Sequence, residues 1–145
     1  MTPLAPERFE QRISDIEGAF RRLGQVEVAR GTRNPQTVLI TVDHPGWGTP
    51  TSAHMKFVES WLLERGSWSL IKFEYDLFLE PGPGRLGFHS HDGTYHTHCV
   101  DPERPNDDHH YLGSSIDIFD AFGRFTQALT GAYPITCKGL TPARR

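Results

Sequence analysis

A chain of 145 residues, 37% hydrophobic and 23% charged, has the length of one domain with its own core. Its formal charge of −3 excludes the broad basic footprint of a tight non-specific nucleic-acid binder. No apolar run reaches ~18 residues, which excludes a membrane-spanning helix. The opening MTPLAPERFEQR lacks an apolar signal region, so a cytoplasmic location is expected. The two cysteines, Cys99 and Cys137, lie far apart outside any CxxC and read as reduced packing thiols.

Pro6 to Leu23 predicts a helix. Phe9, Ile13, Ile16, Phe20 and Leu23 form one apolar stripe at 3.6-residue spacing. Its other face, with Arg8, Gln11, Arg12, Asp15 and Arg22, reads as solvated. Gln25 to Arg30 and Thr37 to Asp43 read as strands turned by Asn34-Pro35. His44 to Pro50 is dense in Pro and Gly and reads as a loop, with His44 and Trp47 as packing residues.

Ser52 to Arg65 is ambiguous. Phe57, Val58, Trp61 and Leu62 fit a helical stripe, and periodicity favours that reading. As a strand, the run would send Phe57 and Trp61 to one face. Ser69 to Leu79 reads as a strand, Phe73, Tyr75, Leu77 and Leu79 alternating with Lys72, Glu74 and Asp76, with Tyr75 as core. Val100 to Gly113 holds Pro102 and Pro105 and reads mostly as loop. A last helix follows, capped by Ser114 or Ser115. Its stripe is Ile118, Phe122, Phe125 and Leu129, and Gly131 ends it. Residues 141–145 read as a disordered basic tail. The expected architecture is α+β: a single antiparallel sheet of about six strands, with the N-terminal and C-terminal helices packed on one face.

Between Gly87 and Gly113 lie six of the eight histidines. Asp92-Gly93, flanked by alternation, is a strong signal for a two-residue hairpin turn. That turn pairs His89 with His96 and Gly87 with His98. Paired residues share a face, so His89, His91, His96 and His98 project together, while Phe88, Tyr95 and Cys99 take the buried side. His44 and His54 read as ordinary structural histidines.

The stretches FEQRISDIEGAF, MKFVESWLLERGSWSLIKFEYDLFL and SIDIFDAFGRF, with the histidine clusters between them, resemble the TumE family of toxin-antitoxin systems over residues 9–129. The resemblance implies a long strand from Met55 to Glu64 in place of the helix. It also implies a toxin acting on RNA and paired with a nucleotidyltransferase-like antitoxin. The family's Asp-Asn-Ala-Pro-His-His run is replaced here by Phe88-His-Ser-His-Asp92. Its second histidine group is matched by His96-Thr-His98 and Asp108-His-His-Tyr111.

Three chemistries suit such a cluster. Cofactor-free RNA cleavage needs a base for the 2′-OH and an acid for the leaving oxygen, which paired histidines supply. The candidates are His96 and His98 with His109 or His110, oriented by Asp107 or Asp108. Arg85 and Arg104 would hold the phosphate, and Tyr111 would bond or stack on a base. The second chemistry is a metal site: His89, His91, His96 and His98 would ligate zinc, nickel or manganese, with Asp92 or Asp101 nearby. The third use is non-enzymatic, with the hairpin as a protein-partner surface.

Overall fold

Seven strands lie between Gln25 and Leu112, with one helix before them and one after. The computed structural model describes residues 1–45, 52–80, 84–91, 93–100 and 109–130, with 80, 100, 109–112 and 130 described at the backbone. Helix α1 is Pro6–Phe20. The strands are β1 Gln25–Arg30, β2 Gln36–His44, β3 Ser52–Glu64, β4 Ser67–Glu80, β5 Arg85–His91, β6 Thr94–Val100 and β7 His109–Leu112, and helix α2 is Ile118–Thr130. They form one sheet in the order β1-β2-β3-β4-β5-β6-β7. Every neighbouring pair is antiparallel. No helix among the described residues is long and apolar enough to cross a membrane.

The expected α+β architecture is present, with seven strands in the sheet. The added strand is β7, within the segment that its prolines marked as loop. Strand β3 spans Ser52–Glu64, against the helical periodicity and starting three residues before the expected Met55. Two strand neighbours decide this: β2 and β4 satisfy its backbone on both sides, and a central strand buries residues on period 2. Ala53, Met55, Phe57, Glu59 and Trp61 are accordingly all buried. Val58 and Trp61 only mimic a helical stripe.

Both helices lie on this face. Phe9, Ile13, Ile16 and Phe20 of α1 and Ile118, Ala121, Phe125 and Ala128 of α2 enter the core. Phe20 stacks on Phe122 at 4.0 Å, and Phe125 reaches Phe57 and Phe88, both at 5.7 Å. Phe122 is partly buried at the edge of that cluster. The helices thus clamp the centre of the sheet from one side and leave the histidine face to other residues.

Four local expectations change. Arg12 is not part of a solvated face: its guanidinium makes two bonds, of 2.6 and 2.8 Å, to Glu59 on β3. Glu59 is 1% exposed and also accepts from Trp61 Nε1 at 3.0 Å and from the Tyr75 hydroxyl at 2.5 Å. Burial pushes the Tyr75 phenol well up, and the Glu59 charge adds to this. Burial would lower the Arg12 pKa, but the bonds and charge of Glu59 outweigh it and hold it raised. Cys99 is disulfide-bonded rather than a reduced thiol, and its partner lies outside the described residues. Tyr95 is 37% exposed, stacked near Phe73 rather than buried. The cap of α2 is Asp117, not Ser114 or Ser115. The tail 141–145 and Gly131 lie outside the described residues.

Asp117 Oδ1 accepts the Phe119 N–H at 2.8 Å, satisfying one of the helix's unpaired amides. Asp117→Ala is therefore expected to cost about 1 kcal/mol. The measurement is a lowered urea midpoint at unchanged slope.

Candidate functional site

The hairpin β5–β6 has the register that Asp92-Gly93 implies: His91 pairs with Thr94, His89 with His96 and Gly87 with His98. Asp92 lies outside the described residues; Gly93 has φ +78°, the positive value such a turn needs. Strand alternation then puts His89, His96, His98 and Gly87 at four neighbouring positions on one face. Three corners of this square carry imidazole and the fourth carries no side chain.

The rings crowd together. His89 and His98 are 4.2 Å apart between centroids, His96 and His98 5.2 Å, and His89 and His96 6.1 Å. One ring nitrogen from each of the three lies within 4.8 Å of the others, close enough to share a metal ion. His98 is 7% exposed, and His89 and His96 are half-buried.

The register also brings in a residue that the sequence reading passed over. Gly87 pairs with Asp76 on β4, and Asp76, 6% exposed, leans across it. His89 Nε2 lies 3.0 and 2.9 Å from the two Asp76 oxygens. Arg85 donates to Asp76 Oδ1 from Nη2 at 3.0 Å and from Nε at 3.3 Å. Burial would raise the Asp76 pKa, but the His89 bond and the Arg85 guanidinium outweigh it and hold it below the usual range. Arg85 also sits over the Phe78 ring at 5.4 Å. In sequence, Asp76 looks like any solvent-face residue of an alternating strand. Only the β4–β5 register places it opposite a glycine.

The remaining candidates are distributed differently. His91 is exposed at the end of β5 and is outside the three-histidine group. On β7, residue 110 pairs with His98 and residue 109 with Cys99. Consecutive strand positions alternate, so the backbone sets 110 on the histidine face and 109 on the helix face. Residue 111 pairs with Thr97, also at a helix-face position. Arg104, Asp101, Asp107 and Asp108 lie outside the described residues. Among the structural histidines, His54 Nδ1 is 2.7 Å from Asp43, and His44 ends β2 at 6% exposure, where burial lowers its pKa.

What the arrangement can do follows from its donors. Three neutral imidazoles leave the full charge of a divalent ion uncompensated, and fewer than four protein ligands leave a position for water or substrate. A carboxylate fixing one histidine from behind is the usual outer support of such a centre. Comparison of the chain with family models, curated proteins and solved structures gives no match.

Proposed function

We propose that His89, His96 and His98 hold one divalent transition-metal ion, zinc in the first instance, and that this centre activates water for phosphodiester hydrolysis of RNA. The observation that carries the reading is the approach of three ring nitrogens to within 4.8 Å of one another. Tetrahedral zinc–nitrogen bonds of about 2.0–2.1 Å would set ligand nitrogens about 3.3–3.4 Å apart, so binding would close the widest of these separations by up to roughly 1.5 Å. Imidazole suits zinc, nickel or copper better than magnesium or calcium. RNA as the substrate, a role as the toxin of a toxin-antitoxin or defence pair, and a nucleotidyltransferase-like antitoxin as partner rest on the resemblance to the TumE family.

A second reading has its own support. Asp76 and His89 form a carboxylate–imidazole pair, the arrangement of a general base in metal-free RNA cleavage. The rings of His89 and His98, 4.2 Å apart, leave little room for a phosphate between an acid and a base, which is why the metal reading comes first.

The test uses untagged protein and a labelled single-stranded RNA. Cleavage abolished by EDTA and restored by zinc is the expected outcome. Cleavage unaffected by EDTA transfers the site to the metal-free reading. Protein inert on RNA under both conditions removes the ribonuclease assignment.

A further inference from the structure

We propose that Asp76 is a positioning residue that fixes the His89 ring with its proton on Nε2, so that Nδ1 is the nitrogen offered to the ion, and that Gly87 is required because the Asp76 carboxylate occupies the place of its side chain. This rests on the metal reading above.

The argument begins with the proton. An ionised carboxylate only accepts hydrogen bonds, so a neutral imidazole bonded to it must donate. Both Asp76 oxygens lie within 3.0 Å of His89 Nε2, so the proton belongs on that nitrogen. A neutral ring has one donor and one lone pair, and Nδ1 is left with the lone pair. Outer carboxylates of this kind hold ring orientation and raise ligand basicity.

Arg85 supplies the second constraint. Its two donors both reach Asp76 Oδ1, the oxygen that His89 also approaches. The carboxylate is therefore gripped between a cation and an imidazole, and rotation about its last bond would break both contacts. Being 6% exposed, it has little access to water as an alternative donor.

Gly87 makes this geometry accessible. A Cβ at position 87 would lie 2.2 Å from Asp76 Oδ1, 3.2 Å from its Cγ and 3.3 Å from His89 Nε2. The first distance is far inside contact, so any side chain there would expel the carboxylate from beside His89. Gly87 is here because of space, in the middle of a strand where glycine otherwise weakens packing.

The experiment has two parts. First, the His89 tautomer in metal-free protein is read by long-range nitrogen–proton NMR at alkaline pH, where imidazole is neutral. Expected is Nε2–H in the wild type and loss of that preference in Asp76→Ala. Second, zinc affinity is measured by competition with a chromophoric chelator for wild type, Asp76→Ala, Asp76→Asn and Gly87→Ala. Asp76→Ala and Gly87→Ala are expected to bind zinc ~10–100-fold more weakly. Asp76→Asn, which keeps shape and one acceptor, should fall between them and wild type, and it serves if Gly87→Ala does not fold. Wild type carrying Nδ1–H, or Asp76→Ala binding zinc as tightly as wild type, overturns the role given to Asp76. Wild type that takes up no zinc overturns the metal reading itself.

Discussion

On the proposed function, His98→Asn is expected to abolish zinc binding and to lower RNA cleavage at least ~10²-fold, since even outer partners of a metal ligand are worth 10–100-fold. The chemistry is direct: of three imidazoles whose ring nitrogens converge within 4.8 Å, two remain, and two neutral donors hold a divalent ion weakly. Asparagine is chosen over alanine because position 98 is 7% exposed, and a polar side chain of smaller but similar shape limits the cavity left behind. His96→Asn should behave in the same way. His91→Ala should keep full zinc uptake and activity, since His91 is exposed and lies outside the close group. Zinc per chain, cleavage rate and a thermal melt on the same samples separate loss of the ion from loss of the fold. Full zinc occupancy in His98→Asn would remove His98 from the ligand set.

The largest effect on stability is expected at the other face of the sheet. Arg12→Ala should destabilise by about 3–5 kcal/mol, because it strips the counter-charge from a buried carboxylate. Glu59 is 1% exposed and receives four donors, two of them from Arg12. Glu59→Ala should cost a similar amount, since it strands the guanidinium together with the Trp61 and Tyr75 donors. Against a total stability of about 5–15 kcal/mol, either change takes a large share. Equilibrium urea unfolding by circular dichroism is the measurement. A double replacement, Arg12→Met with Glu59→Leu, removes both charges but leaves Trp61 Nε1 and the Tyr75 hydroxyl without their acceptor, each worth about 1–3 kcal/mol. A loss under about 1 kcal/mol for Arg12→Ala would mean that water replaces the guanidinium, and that the pair is weaker than its burial implies.

The two networks have one structural cause. Alternation gives β4 an outer acid at Asp76 and inner aromatics at Phe73 and Tyr75. Tyr75 helps to close the Glu59 network under α1, while Asp76 turns the opposite way to His89. Substitutions within β4 should therefore be judged by face: a Tyr75 change acts on the packing of α1, and an Asp76 change acts on the histidine cluster.

Much of this was determined by the sequence alone. Two helical stripes and a series of period-2 runs suffice for an α+β fold with both helices on one face, because each stripe can be buried only against the apolar side of a sheet. Asp92-Gly93 is enough to set His89 against His96, since a two-residue turn leaves no freedom of register. The tertiary structure decided what depends on partners distant in the chain. Ser52–Glu64 is a strand because β2 and β4 pair with it on both sides, a constraint its own periodicity does not contain. Arg12 is drawn half under the helix because Glu59, 47 residues away, lies there to receive it. Pairing to β6 makes a strand of 109–112, and that register separates His109 from His110. Asp76 joins the histidines because the β4–β5 register sets it beside Gly87, and the Pro/Gly-rich connection at residues 80–84 does not encode that register. A carboxylate in an alternating strand signals solvent until its neighbour proves to be a glycine with imidazole beyond it.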